Sequence, residues 1–223
     1  MNNDFNSDLF GLGNFKIEGA IFDLDGVIVD TAKYHYLAWK RLAAELGFNF
    51  SEEHNERLKG VSRMRSLEIL LEVGGVIMAD DQKIEAALRK NAWYIEYLYT
   101  LDEAALLPGT REYLLRLREN EIKIALGSAS KNAPLILERL KITELFDAVI
   151  DGNSVSKAKP DPEVFLKGAV SLGIKPEHCV VFEDALAGIE AAKAGGMAVV
   201  AVGKIEKLPG ADRYIVSLAD MFT

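Results

Sequence analysis

The chain has 223 residues, 49% of them hydrophobic and 27% charged, with 34 Asp+Glu against 26 Lys+Arg and a formal net charge of −8. That length accommodates one large domain, or a main domain with a smaller insert, and the composition is that of a folded rather than a disordered chain. The acidic balance argues against a general nucleic-acid binder, which needs surplus positive charge, yet it leaves room for a local basic cluster.

One cysteine, Cys179, permits no intrachain disulfide. It lies in the apolar run Cys179-Val180-Val181-Phe182, where a small buried side chain is expected. The first residues are polar and acidic, unlike a secretory signal, and no run of about 18 apolar residues occurs. A cytoplasmic monomer with no nucleic-acid or membrane partner is expected.

In chain order, residues 1–15 read as a loose extension or a surface-packed arm. Ile17 to Phe22 is an apolar run ending at Asp23, the pattern of a buried strand. From Thr31 to Leu46 the apolar residues Tyr34, Leu37, Ala38, Trp39, Leu42 and Leu46 recur at helical spacing, with Gly47 placed to end the helix. Arg65 to Val73 and Asp80 to Tyr99 predict further helices, and no strand is evident between Thr31 and Leu106. After Pro108-Gly109 the pattern alternates. Helices are predicted over Thr110–Asn120, Asn132–Leu140, Asp161–Leu172 and Ala187–Ala194. Strands are predicted over Ile122–Leu126, Ala148–Ile150, Cys179–Phe182, Ala198–Val202 and Tyr214–Val216. Strands alternating with helices predict an α/β fold: a Rossmann-like parallel sheet with helices on both faces, carrying an all-helical insert after its first strand.

Polar residues fall at the strand ends. Asp23 and Asp25, Ser128, and Glu183 and Asp184 each follow an apolar strand, although they lie up to about 160 positions apart. In an open α/β sheet ligands bind at the carboxyl ends of the strands, so these groups converge on one edge. Asp23-Leu24-Asp25-Gly26 presents two carboxylates at i and i+2, and Glu183-Asp184 supplies two more. Hard oxygen donors of this kind suit Mg²⁺. Ser128, Lys131 and Asn132 stand where a strand gives way to a helix, a place suited to phosphate oxygens, and Lys159 sits on the loop before Pro160.

Phe22-Asp23-Leu24-Asp25-Gly26-Val27, Gly127-Ser128-Ala129-Ser130, Lys159-Pro160 and Glu183-Asp184 with Ala187-Gly188 resemble the four ordered motifs of the haloacid dehalogenase superfamily. The resemblance spans residues 17–203, and the helical insert is similar to the cap of its capped subclass. It implies a catalytic core over 1–30 and 107–223 and a cap over 31–106. It further implies Asp23 as nucleophile forming an aspartyl phosphate, Asp25 as general acid and base, and Ser128 and Lys159 stabilising the transferring group. Mg²⁺ would be held by Asp23, Asp25, Glu183 and Asp184.

Within the insert, Asp30-Thr31-Ala32-Lys33-Tyr34-His35, Ala38-Trp39-Lys40, Leu58-Lys59-Gly60-Val61-Ser62-Arg63 and Arg89-Lys90-Asn91, with Ser128-Ala129-Ser130-Lys131-Asn132, resemble the β-phosphoglucomutases. Thr31, His35 and Trp39 share a helix face at i, i+4 and i+8. Arg63 can grip a second phosphate bidentately, beside Lys59, Gly60, Val61 and Ser62. Lys90, Ala129, Ser130, Lys131 and Asn132 complete the expected substrate site. The implied reaction interconverts β-D-glucose 1-phosphate and β-D-glucose 6-phosphate; a sugar-phosphate phosphatase of the same fold stays open as the alternative. Ala185 departs from the serine usual in the mutases, and the N-terminal arm is longer. His54 and His178 belong to no recognisable constellation.

Overall fold

The computed structural model describes residues 9–13, 16–58 and 61–222. Its centre is a six-stranded sheet of β1 (Gly19–Phe22), β2 (Lys123–Gly127), β3 (Ala148–Ile150), β4 (Cys179–Glu183), β5 (Ala198–Val202) and β6 (Arg213–Ile215). All pairs are parallel, and the order is β3-β2-β1-β4-β5-β6. The chain builds outward from β1 on one side through β2 and β3, then on the other through β4 to β6. The crevice beside the end of β1 is therefore the switch point where such sheets take their ligands.

Side chains along a strand point alternately to the two faces, and the core divides accordingly. Ala20, Phe22, Ile124, Leu126, Val180, Phe182 and Val200 belong to one buried cluster. Ile21, Ala125, Val181, Val199 and Ala201 belong to the other. The first face is covered by α5 (Thr110–Glu119), which buries Tyr113, Leu114 and Leu117. The second packs against α7 (Glu163–Leu172) and α8 (Leu186–Ala194). Between β2 and β3 lies the short α6 (Ala133–Arg139). Helices thus cover both faces, which explains why the strands read as continuous apolar runs. Cys179 is buried, and burial pushes its thiol up to about 12, as befits a core residue.

Between β1 and α5 the described chain contains only helices: α1 (Ala32–Glu45), α2 (Glu52–Glu56), α3 (Arg63–Gly74), α4 (Asp80–Leu98) and a 3-10 turn at Glu103–Ala105. α1 and α4 form the main pairing of this insert. No helix among the described residues is long and apolar enough to cross a membrane.

Several boundaries differ from expectation. The first strand begins at Gly19 rather than Ile17, the second covers Lys123–Gly127, and the last covers Arg213–Ile215. α3 starts two residues early because the Ser62 side chain accepts a hydrogen bond from Arg65 N at 3.3 Å and caps it. α2 was not expected; five residues are too few to show a helical period, but Ser51 caps it through His54 N at 3.2 Å. His54 completes this box through its own ring nitrogen, and His178 lies 3.3 Å from Glu18.

The N-terminal arm is a larger departure. Leu9, Phe10 and Leu12 are buried, and Phe10 faces Phe182 with ring centroids 6.5 Å apart. Phe182 in turn stacks on Phe22 at 4.5 Å, and Tyr113 meets it edge-on at 5.6 Å. Tyr113 Oη donates to the Leu9 carbonyl at 3.0 Å, and Arg213 donates to the Phe10 carbonyl at 2.7 Å. This part of the arm belongs to the core and is neither loose nor superficial. Phe10→Ala is expected to lower the unfolding free energy by about 3–5 kcal/mol. In urea titrations, a loss within about 0.5 kcal/mol, the usual surface range, would contradict this.

Candidate active site

The parallel register sets the site. Phe22 pairs with Leu126 on one side and with Phe182 on the other, so Asp23, Gly127 and Glu183 stand level at the ends of three adjacent strands. Asp23 N donates to the Phe182 carbonyl at 2.9 Å, and Ser128 N donates to the Ile150 carbonyl at 2.9 Å, extending the ladders by one residue. Beyond Asp23 the chain turns at Gly26 (φ +79°), where a Cβ would collide with the Asp184 carboxylate. Glycine is needed there on two counts: the left-handed backbone and the closeness of that carboxylate. Gly188 similarly leaves room for the Glu183 side chain.

Lys159 lies at the centre. Its Nζ is 2.5 Å from Asp23 Oδ1 and 2.6 Å from Glu183 Oε1, with all three side chains nearly excluded from solvent. Burial works against the ammonium, but the two carboxylates outweigh it and hold its pKa above the ordinary lysine value. Glu183 Oε2 accepts from Ala185 N at 2.8 Å. Burial raises Glu183, with Lys159 opposing. Burial and the adjacent Asp23 carboxylate push Asp25 up to about 7, while the Thr31 hydroxyl, which donates to Asp25 Oδ1, opposes the rise. Tyr94 Oη donates to Thr31 Oγ1 at 3.2 Å, so a chain of hydroxyls leads from α4 to Asp25.

The loop after β2 is held by its own hydroxyls. Ser128 Oγ accepts from Ser130 N at 3.1 Å, and Ser130 Oγ accepts from Asn132 N at 3.2 Å. Asn132 Nδ2 reaches across to Asn91 Oδ1 on α4 at 2.9 Å. Facing this loop, Lys90 Nζ lies 2.9 Å from His35 Nδ1, above the Trp39 and Tyr94 rings at 4.4 and 4.7 Å. His35 stacks on Tyr94 at 4.0 Å. Burial and the neighbouring cations hold both His35 and Lys90 well below their usual values.

One cavity of about 440 Å³ joins these groups. Its walls include Asp23, Asp25, Ser128, Lys159, Glu183 and Asp184 from the sheet edge, and His35, Trp39, Val61, Ser62, Arg63 and Lys90 from the helical insert. Ala129, Ser130, Lys131 and Asn132 line it as well. Thr31 is brought to the site but stands behind Asp25, fully buried. Lys59 and Gly60 lie outside the described residues. Ser62 spends an oxygen lone pair on capping α3, which leaves its O–H free to donate.

Sequence reasoning missed Tyr94, Asn55 and Ser66, and quoted Asn91 without giving it a role. Asn55, Ser66 and Asn91 line the cavity. Ser66 was within reach, since it follows Arg63 at i+3 on one helix face. Nothing local marks Tyr94, whose partner Thr31 is 63 positions away.

Among the described residues, no group of three or more Asp, Glu, His or Cys forms a ready-made metal cage. Mg²⁺ does not require one, because it uses one or two carboxylates with water and substrate phosphate. The donor set fits that habit: the Asp184 carboxylate lies against Gly26, three residues beyond Asp23, and both acids line the cavity. Glu183 fits direct coordination less well, as both of its oxygens already accept hydrogen bonds.

Residues 20–202 match the haloacid dehalogenase-like hydrolase family. The chain is 44% identical over 207 residues to the beta-phosphoglucomutase of Bacillus subtilis, covering 92% of each chain. It is 33% identical over 184 residues to the phosphorylated carbohydrates phosphatase of Thermotoga maritima, covering 81% of this chain and 82% of that one. The crystal structure of beta-phosphoglucomutase from Clostridium difficile superposes with a TM-score of 0.88 at 41% identity, over 92% of each chain. Acidic strand ends clasping one lysine, on this sheet order and under this match, establish that the chain belongs to the haloacid dehalogenase-like hydrolase family.

Proposed function

We propose that the chain is a β-phosphoglucomutase, interconverting β-D-glucose 1-phosphate and β-D-glucose 6-phosphate through β-glucose 1,6-bisphosphate. The observation that carries this reading is a single cavity lined by two sets of charged groups. The core contributes a carboxylate clasped by a lysine, and the helical insert contributes Arg63 and Lys90. A monophosphate hydrolase needs only the first set, whereas a bisphosphate intermediate needs cationic groups for a second phosphate as well. The 44% identity to a mutase over most of the chain, against 33% to a phosphatase, supports the same choice.

In this mechanism a carboxylate oxygen of Asp23 attacks phosphorus in line, giving an aspartyl phosphate. Lys159, freed from part of its contact with Asp23, neutralises charge on the equatorial oxygens, and the Ser128 hydroxyl donates to them. Asp25, held near neutrality, gives a proton to the departing sugar oxygen and takes one from the incoming hydroxyl. Asp23, Asp184 and the Asp25 carbonyl would hold Mg²⁺, with Glu183 beside them, and the bound ion would supply further charge neutralisation.

Residues 31–106 act as a cap on a core of 1–30 and 107–223. Leu107 N donates to the Ile28 carbonyl at 3.0 Å, and Val29 bridges Leu106, so the two linkers run side by side as one hinge. Closure keeps water from the aspartyl phosphate while the bisphosphate turns around. The enzyme works as a cytoplasmic monomer on small sugar phosphates.

Purified protein supplied with β-glucose 1-phosphate, Mg²⁺ and a trace of the bisphosphate is expected to yield glucose 6-phosphate without stoichiometric inorganic phosphate. Prompt phosphate release at the rate of substrate loss would favour a phosphatase instead. Asp23→Asn is expected to cut turnover by at least about 10³-fold, since an amide is no nucleophile; steady-state kinetics on folded protein tests this, and near-normal turnover would remove Asp23 from its role. Arg63→Ala should raise KM for glucose 1-phosphate by about tenfold or more while changing acetyl phosphate hydrolysis less than about twofold. An equal loss on both substrates would place the defect in folding or cap docking.

A further inference from the structure

Lys159 is carried by a stretch without regular structure, residues 151–162 between β3 and α7. A four-carbon side chain held to 2.5 and 2.6 Å contacts on two carboxylates requires that its backbone be fixed. No sheet ladder or helix does this for the residues just before it.

Glu163, in the first turn of α7, supplies the fixing. Its Oε2 accepts from Ser156 N at 3.0 Å, Ser156 Oγ at 2.8 Å and Lys157 N at 2.8 Å. Its Oε1 lies 2.6 Å from Lys167 Nζ, one helical turn further on. That ammonium also donates to the Ser154 carbonyl at 2.7 Å. One carboxylate and its lysine thus tie Ser154, Ser156 and Lys157 to the helix, all within five positions of Lys159. An acid serving only the helix N-terminus would be satisfied by its own first turn. Here three donors from a preceding loop converge on one of its oxygens. Lys167, Ser156 and Lys157 hold the Glu163 carboxyl down at about 2, so it is ionised throughout the neutral range.

We infer that Glu163, which does not line the cavity, is a positioning residue that fixes the 154–157 segment so that Lys159 Nζ stays between Asp23 and Glu183. The loop it braces forms a wall of the cavity through Val155, Ser156 and Lys157, but Glu163 itself acts from the outer side. Its removal should therefore degrade the chemical step and leave sugar-phosphate binding largely alone. This rests on the reading of Lys159 as the group that stabilises the transferring phosphoryl.

The test compares Glu163→Ala, Glu163→Gln and Lys159→Ala with the unmodified enzyme. Measured quantities are kcat, KM for β-glucose 1-phosphate, inhibition by orthovanadate and the urea midpoint. Glu163→Ala is expected to lower kcat by about ten- to a hundredfold, the scale of a misplaced catalytic group, with KM within about twofold. Vanadate inhibition should weaken in step with kcat. Glu163→Gln keeps an acceptor oxygen for the loop donors and should recover kcat to within about threefold. Should Glu163→Ala not fold, Glu163→Asp, one methylene short of the loop, replaces it with the same expectation. A kcat within twofold of normal in the alanine or aspartate variant overturns the inference, as does a glutamine variant no better than alanine. If Lys159→Ala itself retains normal turnover, it is the reading of Lys159 that fails, and that outcome is distinguishable from the others.

Discussion

A buried ammonium between two buried carboxylates organises this molecule. Taking each ion of such a group out of water costs several kcal/mol, and contact at hydrogen-bonding distance offsets the cost only while all partners stay in place. Asp23 comes from the end of β1, Glu183 from the end of β4, and Lys159 from the loop ahead of α7. None of the three is tolerable in this interior alone. The β1–β4 pairing, with Phe22 stacked on Phe182 directly beneath, is therefore as much a condition for the charged triad as for the core. The arrangement also leaves an excess of negative charge at the cavity floor once Asp25 and Asp184 are counted. A bound cation relieves that excess, and Asp25 relieves part of it by holding a proton near neutrality.

The opposite wall carries the complementary imbalance. Lys90 is buried with a neutral imidazole and two aromatic rings as its partners, and Arg63 is close enough to weaken it further. Cation–π contacts and one nitrogen acceptor are thin compensation for an ammonium removed from water. A phosphate brought between the two walls supplies what each lacks: oxygens for the cations of the insert and, with its metal, charge balance for the carboxylates of the core. In the proposed closing motion of the insert, a ligand that touches both walls would favour the closed state.

Much of this was legible in the sequence because the site uses chain-local signals. Apolar runs ending in Asp23, Ser128 and Glu183 mark strand ends whatever the partners are, and a parallel sheet brings strand ends to one edge. The His35 and Trp39 face of α1 follows from helical spacing alone. What stayed hidden depends on distant partners. Leu9, Phe10 and Leu12 show no period, and their burial is decided by Tyr113, Phe182 and Arg213, more than a hundred positions away. Tyr94 reads as one aromatic residue among several on α4 until Thr31 is placed beneath it. Ser62 reads as part of the substrate site beside Arg63, and its use as a helix cap emerges only once the start of α3 is known.

The difference between moving a phosphoryl group to sugar and losing it to water cannot lie in Asp23, Lys159 or Asp184, since hydrolysis and transfer begin with the same aspartyl phosphate. It must lie in whether the cavity is shut during the lifetime of that intermediate. Between the helical insert and the rest of the chain run the Asn91–Asn132 bond and the Tyr94–Thr31–Asp25 series. Arg139 of α6 adds to this by holding the Tyr99 and Leu101 carbonyls at 2.9 and 3.1 Å, just beyond α4. The second of these bears on the proposed catalysis: the Thr31 hydroxyl, just ahead of α1, donates to Asp25 Oδ1. In the proposed mechanism, an opening that carried Thr31 away would remove the hydroxyl bonded to the general acid and base, so that admitting water and disarming Asp25 would be one motion. A phosphatase gains nothing from that coupling, because its acceptor is water, whereas an enzyme that must spare its phosphoenzyme from solvent gains selectivity from it.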